Sequence, residues 1–363
     1  MKVLVAPDAF KGSLSAGQAA QAMALGVRRI CPAAEIAMFP MADGGEGTLD
    51  AVLACLSGKR AVAPVVNAAG QPHTAEFGML DDGTAVIEVA RVVGLTMAGV
   101  AAVPVAQRTT AGVGLLLKYC LDRGVRRFMV GLGGSATNDG GMGLLQALGV
   151  RVAFATDAPV AVDVSGLDPR VRDCHIDILS DVDNPLCGPQ GATCVFGPQK
   201  GVLPEQVAVL DAWLQRFAGL LDPSLALRPA SGAAGGLGYA LQWLGGAHRS
   251  GAEVLLALYH FDAALQDADL VLTGEGRSDL QTLSGKVPWA VARHAAQAGV
   301  PAVLVSGAIA EDARAQLKRQ FRVCHALADD AIDPEPVMRD AAELLAQCVA
   351  SVATMFDVVQ RVS

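Results

Sequence analysis

Apolar runs at both ends of the chain alternate with segments of helical period. The strands that this pattern predicts lie at residues 3–6, 36–40, 270–273, 302–306 and 323–326. Helices are predicted after them, the first at about residues 15–30, where Ser15 and Gln18 have the spacing of a capping box. Continuously apolar strands separated by helices are typical of a parallel sheet covered on both faces. The two chain ends therefore predict one doubly wound domain.

The middle of the chain has a different pattern. Short strands are predicted at residues 62–66, 74–78, 85–89, 127–131, 150–154 and 176–180. The first three have hairpin spacing and are separated by the turn sequences GQP and DDG, which indicates an antiparallel or mixed sheet. We therefore predict an α/β protein in which residues 1–57 and 266–363 form the doubly wound domain and residues 58–265 form an inserted α/β domain with a mixed sheet.

Segments rich in glycine, acids and lysine follow the predicted strands. Those around Asp8, Asp43 and Gly274 follow strands of one predicted sheet, and ligands bind beyond the carboxyl ends of such strands, so we expect these segments to converge. The inserted domain carries two more, at residues 135–139 and 181–184, and we predict an active-site cleft between the domains. Backbone N–H groups beside carboxylates suit phosphate and Mg²⁺ chemistry, which indicates a small-molecule phosphotransferase.

Composition excludes several classes of partner. The chain has a net charge of -8 and no basic stripe, so we predict no nucleic-acid partner. The most apolar late stretch, residues 344–359, is interrupted by polar residues and favours a buried helix, so we predict no membrane association. The N-terminal apolar run is too short for a signal peptide.

The cysteines indicate the compartment. Eight scattered cysteines without a CxxC pair indicate buried thiols in a reducing compartment, and we predict a cytoplasmic protein.

Phosphate binding is the first chemistry that the motifs favour. Of only seven lysines, Lys11, Lys200 and Lys286 lie in glycine-bearing turns, where they either offset phosphate charge or are simply solvated. The SGK segment at residues 284–286 resembles the end of a P-loop, but Val287 replaces the Ser/Thr and position 280 is not glycine. Other glycine-rich turns must then hold the phosphates, and the candidates are residues 44–45, 133–135 and 232–238.

Hard oxygen ligands suggest a metal. Asp181, Asp183 and Asn184 lie within four residues, and Mg²⁺ prefers one or two carboxylates together with phosphate oxygens. The alternative for these residues is an Asx turn ahead of a proline.

The general base stays open among several acids. Asp43, with Glu46, could be a metal ligand, the base that orients the acceptor hydroxyl, or part of a helix N-cap. The order of preference for the base is Asp43, Asp181 and Asp279. Candidate cations for a substrate carboxylate are Arg108, Arg249 and Arg277.

Seven motifs occur in order along the chain: APDAFKGSLS from residue 6, PMADGGEG from 40, GGSATNDGG from 133, DVDNPL from 181, VFGPQKG from 195, GAAGGLG from 232 and TGEGRSDLQTLSGK from 273. They resemble the bacterial class I glycerate kinase family. The resemblance implies ATP- and Mg²⁺-dependent phosphorylation of D-glycerate, typically at the 2-hydroxyl, and two α/β domains of which one is flavodoxin-like. One departure is Ala9, where the family pattern leads us to expect serine.

The site residues that we predict fall into three groups. The catalytic group is Asp43, Asp181, Asp279, Lys11 and Lys286. The substrate- and nucleotide-binding group is Asp8, Gly44, Gly45, Glu46, Gly133, Gly134, Ser135, Asn138, Asp139, Glu275, Arg277 and Lys200. The metal ligands are Asp181, Asp183 and Asn184. The expected partners are D-glycerate and ATP, and the chain is expected to be a monomer or a homodimer.

Two other classes of function remain as alternatives. The segment GLGGSA from residue 131 fits a dinucleotide fingerprint and has Asp157 about twenty residues further on, which would suggest an NAD(P)-dependent oxidoreductase acting on a small hydroxy acid. Gly140 and Gly141 argue against the helix that this requires. The second alternative is a non-catalytic protein that binds a metabolite. The repeated acids argue against it, because carboxylates near a phosphate help only when a metal bridges them.

Overall fold

The computed structural model describes residues 1–328 and 334–362. Within them the chain forms two compact units. The first consists of Met1–Asp43, Asp50–Cys55 and the described residues from Gly251 onward, and the second consists of Gly44–Leu49 and Leu56–Ser250.

Strands and helices alternate along most of the chain. The strands are β1 (Lys2–Val5), β2 (Glu35–Met38), β3 (Gly58–Val66), β4 (Pro72–Leu80), β5 (Thr84–Glu88), β6 (Arg127–Gly131), β7 (Arg151–Ala155), β8 (Ala158–Asp163), β9 (His175–Leu179), β10 (Ala247–Arg249), β11 (Leu270–Thr273), β12 (Arg277–Ser278), β13 (Ala302–Ser306), β14 (Ala308–Ile309) and β15 (Val323–Ala326). The helices are α1 (Ala16–Ile30), α2 (Thr48–Cys55), α3 (Ala90–Val93), α4 (Ala111–Leu121), α5 (Met142–Ala147), α6 (Ala192–Lys200), α7 (Pro204–Leu221), α8 (Ala233–Trp243), α9 (Gly251–Leu258), α10 (Phe261–Leu265), α11 (Val287–Gln297), α12 (Glu311–Gln320), α13 (Pro334–Arg339) and α14 (Ala341–Val362).

The first unit is built on a five-stranded parallel sheet. Its strand order is β2-β1-β11-β13-β15, which in chain order is 2-1-3-4-5, the order of flavodoxin-like sheets. The side chains of Val3, Val5, Leu270 and Leu272 are buried in its core. The predicted doubly wound parallel sheet formed by both chain ends is confirmed.

Helices α1 and α14 pack closely in this unit. Ser15 caps α1, and its capping box with Gln18 is present as predicted. A Cβ atom on Gly26 would lie 2.4 Å from the carbonyl oxygen of Ala346, so only glycine allows this approach of the two helices. Leu345 and Val349 of α14 are fully buried, as expected for a buried helix. No helix in the described part of the chain has the length and apolar character needed to cross a membrane.

The second unit contains a mixed sheet of six strands. The order is β10-β9-β6-β5-β4-β3. Strands β3, β4 and β5 pair antiparallel, whereas β5, β6, β9 and β10 run parallel to one another. Strands β7 and β8 form a separate hairpin. The inserted α/β part of the chain therefore has the mixed sheet that the hairpin spacing predicts.

A histidine links three helices of the first unit. His294 of α11 contacts the Asp262 carboxylate through Nδ1 at 2.5 Å and the Glu253 carboxylate through Nε2 at 3.1 Å. Burial opposes protonation of the ring, but the hydrogen bonds to the two carboxylates outweigh it, so the pKa of His294 is raised. When the ring is charged, it therefore links α11 to α9 and α10 through these two hydrogen bonds.

The hydrogen bonds of His294 should make the free energy of unfolding depend on pH. Because the folded-state pKa of His294 lies above its unfolded value, its stabilisation is complete below about pH 6.5 and is lost as the pH rises through the raised pKa. His294→Gln should lower the free energy of unfolding by about 0.5–1 kcal/mol at pH 6 and by less at pH 9, since the cluster is partly exposed and screened by solvent. Urea melts at both pH values measure this. The same change at exposed His325 is the control, and an equal loss at both pH values would contradict the linkage.

Candidate active site

Three acidic residues meet at the carboxyl edge of the five-stranded sheet. Asp8 follows β1, Asp43 follows β2 and Glu275 follows β11, and β1 lies between β2 and β11 in the sheet. The backbone N–H of Asp8 donates to the carbonyl of Gly274 at 2.8 Å. The edge between β1 and β11 is the switch point of a 2-1-3-4-5 sheet, where such folds bind ligands. The predicted convergence of these segments is confirmed.

The other two acids affect the protonation of Asp8. Asp8 is buried, and burial raises its pKa well above the ordinary range. The negative charge of Asp43 raises it further, and Glu275 adds a smaller effect of the same sign. The hydrogen bond from the N–H of Ala9 and the charge of Lys11 act in the opposite direction. The edge therefore carries crowded negative charge that a cation would relieve.

Glu275 is held by a chain of hydroxyl groups. Its Oε1 accepts hydrogen bonds from Ser278 Oγ and Thr282 Oγ1, each at 2.7 Å. Ser278 Oγ lies 2.7 Å from Ser306 Oγ at the end of β13. Burial raises the pKa of Glu275, while the two hydroxyls and the charge of Lys286 lower it. The carboxyl group is thus fixed in place beside the β11 end of the sheet.

Asp279 begins a short 3-10 turn over Leu280–Ser284. Its Oδ1 accepts from the N–H of Gln281 at 2.8 Å, and its own N–H donates to Thr282 Oγ1 at 3.0 Å. Its carboxylate therefore serves at least as a cap. Lys286 precedes α11 and is half-buried, whereas Lys11 and Arg277 are exposed.

The glycines at 44 and 133 allow two loops to touch in the second unit. The N–H of Gly133, just beyond β6, donates to the carbonyl of Gly44 at 3.0 Å. A Cβ on Gly44 would lie 2.3 Å from the carbonyl oxygen of Leu179, and one on Gly133 would lie 2.3 Å from Cα of Gly45. Close backbone packing at the carboxyl ends of β6 and β9 explains both glycines. Glu46 is exposed in the same segment, and phosphate binding by these turns stays a prediction.

Asp139 anchors the loop that follows β6. Its buried carboxylate accepts hydrogen bonds from the N–H groups of Thr110, Gly141 and Gly143 and from the Thr110 hydroxyl, all at 2.9–3.1 Å. Burial raises its pKa, and these hydrogen bonds partly offset that rise. The loop is therefore tied to the start of α4 and to α5, and it holds Ser135 and Asn138 in place.

The segment after β9 carries the candidate metal ligands. Asp181 is half-buried and Asp183 is exposed. The side-chain amide nitrogen of Asn184 donates to the carbonyl of Gln190 at 2.8 Å. Among the described residues, no group of three His, Cys, Asp or Glu side chains is placed to hold a metal by itself. These oxygen donors fit a cation that takes one or two protein carboxylates and completes its shell with phosphate oxygens, as Mg²⁺ does.

Comparison with known proteins identifies the family. The model of the glycerate kinase family matches residues 3–357. The chain belongs to this family. It is 40% identical over 375 aligned positions to the glycerate kinase of Bacillus subtilis (strain 168), with 97% of each chain covered. It is 39% identical over 334 positions to the glycerate 2-kinase of Escherichia coli (strain K12), covering 86% of each. A crystal structure from Salmonella typhimurium LT2, provisionally named glycerate kinase 2, superposes with a TM-score of 0.78 at 36% identity over all of both chains.

Membership in the glycerate kinase family confirms the class of enzyme. The chain is a phosphotransferase, and the relatives support glycerate as the acceptor, as the motifs predict. The segment after β6 also lacks the geometry of a dinucleotide fingerprint, because α5 begins only at Met142 and both Gly140 and Gly141 have left-handed backbones. The roles of individual residues in this glycerate kinase family member stay predictions.

Glu88 is a buried charged residue of the second unit that was not among the predicted site residues. Glu88, in the otherwise apolar β5, accepts a hydrogen bond from the N–H of Leu49 at 3.2 Å at the start of α2 and lies 3.4 Å from Arg91. A single acid within an apolar strand is the sequence signal that could have identified Glu88.

The candidate arginines of the second unit have other partners. Arg108, which we considered for a substrate carboxylate, donates to three backbone carbonyls, those of Val103, Ala136 and Lys200. Arg249 pairs with Asp177 at 2.6 Å.

Proposed function

We propose that this protein transfers the γ-phosphoryl group of ATP to the 2-hydroxyl of D-glycerate, giving 2-phosphoglycerate and ADP. Family membership supports the acceptor, and the similarity to a protein named glycerate 2-kinase supports the 2-hydroxyl. The observation that carries the proposal is the acidic group of Asp8, Asp43 and Glu275 at the switch point of a flavodoxin-like sheet. Such an edge suits a nucleotide that arrives with a cation.

Asp43 is the residue that we assign to the acceptor hydroxyl. As phosphoryl transfer proceeds, the bond between the γ-phosphorus and the bridging oxygen of ADP breaks and a bond to the glycerate oxygen forms. The proton of that hydroxyl passes to the base, which is Asp43 in our assignment. We assign Lys11 and Lys286 to the transferring phosphoryl group, where cations stabilise charge in the transition state. Arg277 and Asp279 are assigned to positioning of the nucleotide.

Mg²⁺ is the metal that we propose, with Asp181, Asp183 and Asn184 as its protein ligands. When bound, it neutralises the negative charge of the nucleotide phosphates. The donor set supports Mg²⁺, because it offers carboxylate and amide oxygens and no soft ligand. Asp181 is half-buried, whereas Asp183 is exposed to solvent and is accessible to a hydrated ion.

The second prediction tests this metal assignment. Asp181→Asn should raise the Mg²⁺ concentration required for half-maximal activity by about tenfold or more, because a neutral amide is a weaker ligand than a carboxylate. A titration of activity with Mg²⁺ at saturating ATP and glycerate measures the change. Asp173→Asn removes an exposed carboxylate just before β9 and is the matched control. An unchanged Mg²⁺ requirement in Asp181→Asn would remove Asp181 from the metal site.

The compartment and assembly complete the proposal. All eight cysteines are free thiols, which supports a reducing compartment such as the cytoplasm. We propose a monomer or a homodimer with no macromolecular partner of another kind. Light scattering after size-exclusion chromatography decides between the two states.

A coupled assay of ADP release tests the reaction. We expect ADP only when ATP, Mg²⁺ and D-glycerate are all present, and little or none when L-glycerate replaces D-glycerate or EDTA is added. Phosphorus NMR of the product then distinguishes phosphorylation at the 2-hydroxyl from that at the 3-hydroxyl. No ADP release under saturating conditions would overturn the proposed reaction, and a 3-phosphate product would overturn only the position.

A further inference from the structure

A buried polar cluster lies on the loop after β6, in the second unit. We call Lys200, Ser135 and Asn138 the Lys200 cluster, and their exposures are 5%, 6% and 4%. The ammonium group of Lys200, at the end of α6, donates to the carbonyl of Thr137 at 2.7 Å and to Ser135 Oγ at 3.3 Å. The side-chain amide of Asn138 donates to Thr193 Oγ1 at 2.9 Å. Three different polar groups are therefore fixed on four loop residues, 135–138, and one helix end.

Hydrogen-bonding capacity in the Lys200 cluster is incompletely used. An ammonium group has three donors, and those of Lys200 have two acceptors among the described residues. Ser135 accepts through its oxygen, which leaves its O–H able to donate. The buried Oδ1 of Asn138 has no hydrogen-bond partner in the described part of the chain. Buried polar atoms in native proteins are almost always paired, so this unpaired atom points to a ligand.

Charge is also unbalanced around Lys200. The charges of Arg108 and Asp139 both affect the pKa of Lys200. Of these three charged residues, Asp139 is the single acid. Burial lowers the pKa of Lys200 to about 7, the charge of Asp139 opposes that effect, and the charge of Arg108 adds to it. A lysine and an arginine buried beside one carboxylate would gain from a further anion, which would favour the charged form of Lys200.

The loop that carries the cluster is rigidly supported. The N–H of Gly140 donates to the carbonyl of Gly235 at 2.9 Å. A Cβ on Gly235 would lie 1.9 Å from the carbonyl oxygen of Thr137, so the glycine-rich start of α8 presses directly on the loop. Arg108 fixes the backbone of Ala136 on the other side. A preorganised group of donors and acceptors binds a ligand at low entropic cost.

We propose that the Lys200 cluster binds the carboxylate of the acid substrate together with the hydroxyl that is not phosphorylated, and that Lys200 takes up a proton when the acid binds. The inference rests on the proposed function and assigns these residues to the acid rather than to the nucleotide. The ammonium group of Lys200 and the O–H of Ser135 pair with the carboxylate. Asn138 Oδ1 accepts from the 3-hydroxyl, which is not the hydroxyl that Asp43 deprotonates. A small hydroxy carboxylate carries a single negative charge and matches the single ammonium group of this buried cluster, whereas a polyphosphate chain needs several cations.

Proton uptake follows from the charge state of Lys200. At pH 8 a lysine of pKa about 7 is mostly neutral, and an adjacent carboxylate stabilises its charged form. Binding of the acid should therefore take up roughly 0.8 proton per site at pH 8 and roughly 0.1 at pH 6, where Lys200 is already charged. The carboxyl group of the acid is ionised at both pH values and contributes nothing to the difference.

Calorimetry measures this uptake on the intact protein. D-Glycerate is titrated in two buffers of different ionisation enthalpy at pH 8 and at pH 6, with and without saturating Mg²⁺ and a non-hydrolysable ATP analogue. The difference in apparent enthalpy between the buffers gives the number of protons taken up. The ATP analogue is also titrated alone, as a probe for binding of phosphate by the same lysine.

Variants separate the charge of Lys200 from its titration. Lys200→Arg keeps the cation but cannot titrate, so it should bind glycerate without proton uptake at pH 8. Lys200→Met should lose at least tenfold in glycerate affinity and all uptake. Lys318→Met, at an exposed lysine of α12, should leave both unchanged. Thermal melts show which variants fold, and the wild-type measurement does not depend on them.

Each outcome bears on a different claim. Glycerate binding at pH 8 without proton uptake by the wild-type protein would overturn the inference, and so would absence of glycerate binding in every condition. Proton uptake with the ATP analogue but not with glycerate would overturn it as well, by placing Lys200 in the nucleotide site. Glycerate-linked uptake without any ADP release would support the inference and overturn the proposed reaction. Turnover without uptake would leave the proposed reaction standing.

Discussion

Replacing Asp43 with asparagine should lower kcat for glycerate phosphorylation by at least about 10²-fold. The amide keeps the size of the side chain but can neither accept the hydroxyl proton nor supply a negative charge, and positioned electrostatic groups of this kind contribute such factors. Steady-state kinetics with ATP and D-glycerate at saturation measure the change. Asp312→Asn, which removes an exposed carboxylate on α12, is the matched control and should keep wild-type kcat. Turnover of Asp43→Asn within threefold of wild type would remove Asp43 from the reaction.

The same variant has a second signature. Since the charge of Asp43 raises the pKa of Asp8, its removal should lower the pKa of Asp8. If ionised Asp8 is required for residual activity, the acid limb of the pH-rate profile should move to lower pH in Asp43→Asn. A general loss of folding would not produce this shift. An acid limb that stays in place would show that ionisation of Asp8 does not limit the rate.

Replacing Asp139 with alanine should give the largest loss of stability, at least about 3 kcal/mol in the free energy of unfolding. The variant leaves the buried N–H groups of Thr110, Gly141 and Gly143 without their acceptor, and each unpaired buried group costs about 1–3 kcal/mol. Denaturant melts at pH 7 measure the loss. Asp157→Ala, at the exposed turn of the β7–β8 hairpin, should change stability by no more than about 0.5 kcal/mol. A small loss in Asp139→Ala would contradict the anchoring role.

Buried parallel strands were the part of the fold that the sequence predicts best. The predicted strands at 270–273, 302–306 and 323–326 have the bounds of β11, β13 and β15, because each is a short apolar run ended by a turn or a helix start. The family resemblance implied a flavodoxin-like domain, and the structure gives its strand order, 2-1-3-4-5. Helices α9 and α10 are different, since their apolar faces do not indicate which sheet they cover. We placed them with the inserted segment, whereas the first unit includes them.

The candidate site was predictable where it follows strand ends. Asp8, Asp43 and Glu275 were found because parallel strands bring their carboxyl ends to one edge. Roles that depend on packing were not predictable, because local sequence does not contain them. Gly44 is required by the carbonyl of Leu179, which lies far away in sequence. The four hydrogen bonds of Asp139 and the three carbonyl partners of Arg108 likewise join segments whose proximity only the fold determines.

We propose above that the γ-phosphoryl group of ATP is transferred to glycerate at the acidic edge formed by Asp8, Asp43 and Glu275. A rapid-quench single turnover with γ-³²P-labelled ATP and D-glycerate, enzyme in excess, follows the chemical step alone. We expect the label to appear on glycerate in one exponential phase for the wild-type protein, and at least about 10²-fold more slowly for Asp43→Asn. Label that stays on ATP or appears only as inorganic phosphate in the wild type, or equal rates for the two proteins, would contradict the claim.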